Sequence, residues 1–259
     1  MTAPAHILVV GTGRMAHQLG QALARAGHVM AGVAGRDAAA TARLAARLGT
    51  TAHALGGPMP PARLVLLAVS DDAIGAVAGR LPVTDAVVVH TSGAGGLDLL
   101  APHPRRGVLW PVQSLVMDPP MDLAEVPLIV DAGTDADRDL LLPVARSVSR
   151  VVLALDLPQR ERLHLAAVFT SNLPVFLVAE AQRMLGAMDL PADLLGPLWR
   201  TTAERVAGTG AREALTGPAR RGDRATVQRH LALLADDPEL ARTYRLLSER
   251  IMRTYGHHP

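Results

Sequence analysis

The chain has no cysteine, which excludes disulfides, thiol nucleophiles and cysteine-ligated metals and is compatible with a reducing compartment. Lysine is absent as well: all 26 basic residues are arginine. Asparagine occurs once, at Asn172, and phenylalanine and tyrosine twice each. The accompanying excess of Ala, Arg, Gly and Pro reads as a genome-composition bias, so arginine abundance alone carries little weight. A net charge of only +2, with dispersed arginines, predicts no nucleic-acid surface. The N-terminus enters an apolar strand by Ile7 without a basic leader, which predicts no signal peptide and a cytoplasmic protein. The uncharged run between Arg162 and Glu180 is interrupted by His164, Thr170, Ser171, Asn172 and Pro174. A span needs ~20 predominantly apolar residues, so a buried helix of a soluble protein is predicted there, with no membrane.

What remains is substantial. At 259 residues, nearly half of them apolar, the chain suffices for two modest domains. "HILVV" (6–10) reads as a strand, followed by the turn "GTGRMA" and a helix to about Ala26. "HVMAGVAG" (28–35) reads as a second strand, and 37–49 as a helix capped by Asp37. "LVLLAV" (64–69) and "DAVVVHT" (85–91) are continuous apolar strands of the doubly buried, parallel kind. "GVLWPV", "VPLIVDAG" and "RVVLAL" add three weaker strands. After Leu157 apolar residues recur at helical spacing, enough for four or five helices, and "YGHHP" reads as a frayed tail. These patterns predict an α/β fold: a doubly wound parallel Rossmann sheet over 1–156, then an all-helical domain over 157–259.

Gly11-Thr12-Gly13-Arg14-Met15-Ala16 is a G-x-G-x-x-A turn between a strand and a helix. Gly11 permits the tight turn, Gly13 lets the backbone approach a pyrophosphate, and Ala16 lets helix pack on strand. In this βαβ setting the motif predicts dinucleotide binding. NAD sites place an acid at the end of the second strand; here Gly35 and Arg36 occupy it, and arginine pairs with a 2′-phosphate. NADP is therefore preferred over NAD. Asp37 is one residue late and better explained as a helix cap, and Arg14 is a second phosphate candidate. Ligands lie at the carboxyl ends of such strands, which adds Ser70, His90, Thr91 and Ser92 along the cofactor. Gly93, Gly95 and Gly96 would allow close backbone approach. A structural role for His90, satisfied by backbone carbonyls, stands beside the functional one.

The motifs "VVGTGRMA", "VVVHTSGA", "GVLWPVQSL", "RERLHLAAVFTSN", "ALTGPARRGD" and "HLALLADDPELARTYRLLSERI", in this order, resemble Rossmann-like oxidoreductase homologues with the C-terminal domain of unknown function 2520. These are similar in plan to NADP oxidoreductases, pyrroline-carboxylate reductases and ketopantoate reductases. The resemblance covers essentially the whole chain. It implies a helical second domain like that of 6-phosphogluconate dehydrogenase, and a homodimer built largely through it. Related hydroxyacid dehydrogenases and ketopantoate reductases use a lysine four residues before an asparagine. Asn172 matches the asparagine, but the lysine position is Val168, so lysine acid catalysis does not carry over.

His164 is the candidate replacement. On one continuous helix His164, Val168, Ser171, Asn172 and Val175 share a face, with His164 and Asn172 ~12 Å apart along the axis. Histidine supplies a proton near neutrality, and Asn172 a donor and an acceptor. The alternative is that both bond nearby backbone. Pro174 removes the hydrogen bond to the carbonyl of Thr170 and predicts a kink. Trp110 and Gln113 are candidates for lining a substrate pocket, though core packing explains Trp110 equally well. Ser92 joins His164 and Asn172 as a catalytic candidate, and Ser171 is a further substrate candidate. By analogy with the corresponding turn of pyrroline-carboxylate reductases, Thr216 is a catalytic candidate. Arg221 is a candidate anchor for a substrate carboxylate, with paired surface arginines as the alternative. No histidine/carboxylate spacing suggests a metal. The expected function is an NADP(H)-dependent oxidoreductase acting on a small carbonyl or imine. The alternatives are a non-catalytic NADP(H) sensor or interaction protein, and transfer to a deazaflavin.

Overall fold

The computed structural model describes residues 4–258. The chain forms two compact units, Met1–Leu177 and Val178–Pro259. In the first, eight strands form one sheet: β1 (His6–Val10), β2 (Val29–Gly35), β3 (Ala52–Ala54), β4 (Leu64–Leu67), β5 (Val87–His90), β6 (Arg106–Pro111), β7 (Leu128–Ala132) and β8 (Val152–Ala154). Their order is β3-β2-β1-β4-β5-β6-β7-β8. All neighbours pair in parallel except β6 and β7, which are antiparallel.

The continuous apolar runs are buried on both faces, as parallel strands require. Ile7 and Val9 pack with α1 (Arg14–Arg25), α2 (Ala38–Arg47) and α4 (Asp135–Val148) through Leu19, Leu23, Leu44 and Leu141. Leu8 and Val10 face the other way, towards Ile74 and Val77 of α3 (Ile74–Ala78). Asp37 caps α2 by accepting from the Ala40 backbone N–H at 2.9 Å. β3, the sequence Ala-His-Ala, carries too little apolar pattern to be read as a strand; it exists because it hydrogen-bonds to β2.

The long apolar stretch becomes α5 (Leu157–Thr170) and α6 (Asn172–Gly186), interrupted at Ser171. The break falls where the N–H missing from Pro174 would have been needed. The expected burial of this stretch is corrected by the structure: within one chain Leu165, Phe169, Val175 and Phe176 are all more than half exposed. Apolar sequence predicts that a surface is covered, not that the same chain covers it. By length and composition Leu157–Gly186 would suffice to cross a membrane. Its N-terminal part is nevertheless docked on the sheet, with Leu163 packed on Val108, Trp110 and Ile129.

The second unit holds α7 (Gly196–Thr209), α8 (Ala211–Ala214), α9 (Pro218–Arg221), α10 (Arg224–Leu233) and α11 (Pro238–Thr254). Its small core is Ala219, Val227 and Met252, with Leu231, Tyr244 and Ile251 around it. The expected frayed tail is also corrected. The Arg220 guanidinium lies 3.8 Å over the Tyr255 ring, His257 Nε2 donates to the Arg220 carbonyl at 3.2 Å, and Arg224 donates to the His258 carbonyl. Each tail contact satisfies a polar group of the α9–α10 region, which composition alone does not reveal.

Candidate nucleotide cleft and its supports

A cleft of about 1000 Å³ opens at the carboxyl ends of β1, β2 and β4. Of the residues expected to hold a cofactor, Gly11, Thr12, Gly13, Arg14, Met15, Gly35, Arg36 and Ser70 line it. Gln113 lines it too, together with Asp37, Arg80, Ser114 and Leu115.

The glycine turn does two jobs. Gly11 has φ +116°, and a Cβ there would press on the Ala68 carbonyl. At Gly13, the N-cap of α1, nothing lies within 4 Å of a built Cβ, and no side chain caps the helix. An uncapped helix start facing open space, with Arg14 beside it, fits a pyrophosphate. Asp37 uses one carboxylate oxygen on its own helix, so the acid at this end is tied down while Arg36 is free of any carboxylate within 4.0 Å among the described residues.

His90 and Ser92 do not line the cleft. His90 is fully buried: Nδ1 accepts from the Ser92 N–H at 3.1 Å, and Nε2 donates to the Gly96 carbonyl at 3.3 Å. The Ser92 hydroxyl donates to Asp71 Oδ2 at 2.8 Å and accepts from the Ala94 and Gly95 N–H groups. Both side chains are therefore engaged in shaping the 90–96 loop, which corrects the cofactor and catalytic roles expected of them. The glycines of this loop serve packing: a Cβ on Gly93 would sit 2.6 Å from the Trp110 ring. Trp110, 7% exposed, is the floor beneath that loop rather than a pocket wall.

Burial lowers the His90 pKa from 6.5 to about 4, with the Arg160 charge as a second cause. His90 is thus neutral near pH 7 and is no proton donor there. Its folded-state pKa lies below the unfolded value, so the unfolded chain binds more protons between these two values. The stabilisation is complete above about pH 6.5 and is lost as pH falls towards 4, a change on the order of 3 kcal/mol. Burial lowers the pKa of His28 too, adding the same sign. Urea midpoints measured across this window should fall with pH, and His90→Gln should flatten the slope; an unchanged slope would refute the assignment.

Two supports escaped sequence reasoning. Arg160, on α5, is fully buried. Its Nη1 donates to the carbonyls of Gly95 (2.9 Å), Gly93 (3.2 Å) and Ser92 (3.4 Å), while Nη2 meets Asp131 Oδ2 at 3.1 Å. Gln18, on α1 and also fully buried, donates to the carbonyls of Val116 and Pro119 at 2.9 Å and accepts from the Met121 N–H at 2.7 Å. That strap begins at Gln113, Ser114 and Leu115, so Gln18 holds one wall of the cleft. In an arginine-rich chain no local signal distinguishes Arg160. A buried glutamine on an amphipathic helix is the only trace that could have flagged Gln18.

His164 lies one helical turn beyond Arg160. Its half-buried ring sits 5.8 Å from that of Trp110, tilted by 53°, and among the described residues neither nitrogen has a hydrogen-bond partner; like His90 and Ser92, it does not line the cleft. Ser171 and Asn172 are exposed at the helix break. Thr216 and Arg221 are exposed residues of the second unit, Thr216 two residues before the short helix α9 and Arg221 its last residue.

Residues 2–113 match the Rossmann-like domain family, and residues 126–251 match the domain of unknown function DUF2520. Among curated proteins no match was found. Among solved structures, a Bacteroides fragilis protein provisionally designated an NADP oxidoreductase is 31% identical, with TM-score 0.85, covering 96% of this chain and 98% of that one. A Thermotoga maritima protein is 22% identical, with TM-score 0.75 over 96% of this chain and 98% of its own. A reductive aminase from Aspergillus terreus, solved with NADPH and ethyl-5-oxohexanoate, shares the fold at 17% identity and TM-score 0.70, over 99% and 97% of the two chains.

Proposed function

Because the chain belongs to the family that joins a Rossmann-like domain to the domain of unknown function DUF2520, we propose that it is a cytoplasmic NADP(H)-dependent oxidoreductase acting on a small carbonyl or imine compound. The observation that carries this is the cleft itself. The whole Gly11–Met15 turn and Arg36 line one cavity, with a free helix N-terminus at one end and an arginine without a carboxylate partner at the other. The Bacteroides fragilis relative, designated an NADP oxidoreductase, supports the same assignment.

In this assignment Gly13 and the first turn of α1 take the pyrophosphate, and Arg36 takes the 2′-phosphate. A nicotinamide bound there would supply or take up the hydride. The chain must then handle the proton. Val168 stands where related enzymes keep lysine, and His90 is neutral and engaged, which leaves His164. Its ring nitrogens, without a partner among the described residues, are available to protonate a carbonyl oxygen or an imine nitrogen, and the ring packs beside Trp110. Asn172, exposed at the start of α6, orients the substrate's polar group through its amide.

We further propose that a second copy of the chain covers the apolar residues left open on α5 and the start of α6 in the first unit and on α7 in the second. α7 has no buried residue in a single chain, and Leu198 and Val206 are exposed on it. One preparation tests these proposals together. It should sediment at twice the chain mass of 27.2 kDa. With NADPH and a panel of keto acids, aldehydes and imines, wild type should turn over at least one substrate, while His164→Ala loses at least about a hundredfold in rate and keeps its NADPH affinity. NADPH binding without turnover of any substrate would mean a sensor instead.

A further inference from the structure

Arg80 follows α3 by two residues and lines the same cleft as Arg36. Its position at the same end is fixed by a short chain of contacts. Arg80 Nη2 lies 3.4 Å from the Leu55 carbonyl, and the Leu55 N–H donates to the Gly35 carbonyl at 3.2 Å, one residue before Arg36. The two arginines thus stand at the same end of the cleft on different elements, Arg36 just past β2 and Arg80 beside the end of β3.

The charges at this spot are unbalanced. Neither arginine has a carboxylate within 4.0 Å among the described residues. Asp37, the acid lining this end, is occupied as the cap of α2. Among the described residues the guanidinium of Arg80 makes only the one long bond to a carbonyl, which leaves most of its five donors open to a ligand. Two free guanidinium groups around one position suit a dianion, and a phosphate monoester carries close to two negative charges near neutrality.

We propose that Arg80 is the second arm of the 2′-phosphate site, so that Arg36 and Arg80 together select the phosphorylated dinucleotide. This rests on the assignment of the cleft as a dinucleotide site. Arg36 alone would neutralise half of the phosphate charge. Arg80 supplies the rest from a segment more than forty residues further along the chain, beyond the reach of any local motif. The site also discriminates against NADH, whose bare ribose hydroxyl leaves both cations unpaired.

Titration calorimetry of the purified full-length protein tests this without any substrate. The probes are NADPH, NADH, 2′,5′-ADP and 5′-AMP; the proteins are wild type, Arg36→Ala, Arg80→Ala and Arg80→Lys. Arg80→Ala should weaken NADPH and 2′,5′-ADP by about tenfold or more and change NADH and 5′-AMP by less than about twofold. Arg80→Lys should recover part of the loss, because a point charge remains without the fork. The NADPH loss of Arg80→Ala should also shrink in high salt. Equal losses for all four ligands would place Arg80 against the adenine instead and overturn the proposal, as would no loss at all. A thermal melt of each variant guards against misfolding, and a misfolded Arg80→Ala hands the decision to Arg80→Lys, whose wild-type selectivity and affinity would refute it. Wild type that binds none of the four would remove the dinucleotide assignment itself, an outcome distinct from a selective failure at Arg80.

Discussion

Gly11→Ala should destabilise the first unit by about 3 kcal/mol or more, whereas Gly13→Ala should leave stability in place and weaken NADPH binding at least about tenfold. Two glycines, two residues apart in one turn, answer to different demands. At Gly11 the backbone holds φ +116°, and a methyl group would meet the Ala68 carbonyl carbon at 2.9 Å and the oxygen closer still. β1 and β4 are neighbours in the sheet, so neither strand has room to yield. At Gly13 a methyl group meets no protein atom within 4 Å. The only thing it obstructs is a ligand approaching the first turn of α1. Melting curves in a Trp199→Phe background, where Trp110 reports on the first unit, should show a fall of roughly 10 °C for Gly11→Ala. Titration with NADPH then decides the second half: unaltered affinity in Gly13→Ala would mean that no phosphate passes there.

Arg160→Met should cost about 3–5 kcal/mol, the range for breaking a buried ion pair from one side. The substitution keeps most of the apolar stem and removes every donor. It strands Asp131, whose side chain is only 18% exposed, and the carbonyls of Ser92, Gly93 and Gly95. Replacing both partners, as Arg160→Met with Asp131→Leu, should recover much of the loss, since an apolar pair of similar volume costs far less than a lone buried charge. The carbonyls would stay unpaired, so recovery should be incomplete. Urea unfolding followed at Trp110 gives both numbers; a single-variant loss below about 1 kcal/mol would show that the guanidinium is dispensable. Arg160 and His164 are one turn apart on α5, so the variant's effect on the His164–Trp110 contact can be read in the same experiment.

The elements that were legible in the sequence are those whose signal is local and periodic. Strands β1, β2, β4 and β5 announced themselves as apolar runs, and Asp37 as a cap, because each forms through contacts within a few residues or through burial on both faces. The G-x-G-x-x-A turn was legible for the same reason: a tight turn and an open helix start need glycine at set spacing. The antiparallel pairing of β6 with β7 was not, since hydropathy carries no strand direction. Nor was β3, which is held by pairing rather than by its own composition.

The candidate site divides along the same line. Legible from residue pattern alone were the glycine turn, Arg36 just past β2 and the missing lysine at Val168; the shared face expected of His164 and Asn172 was not, because the helix breaks at Ser171 between them. That His90 and Ser92 build a loop instead of facing the cleft emerges on folding, which brings them their partners, Asp71 and Gly96 among them. Folding also singles out Arg160, Gln18 and Arg80 from residues with no distinguishing neighbours in sequence. Their hydrogen bonds span 29 to 103 residues for the first two and 25 for the third, distances over which no local pattern survives. Local periodicity reports which residues seek burial; which charge ends up opposite which carbonyl is settled by chain crossings that the pattern does not encode.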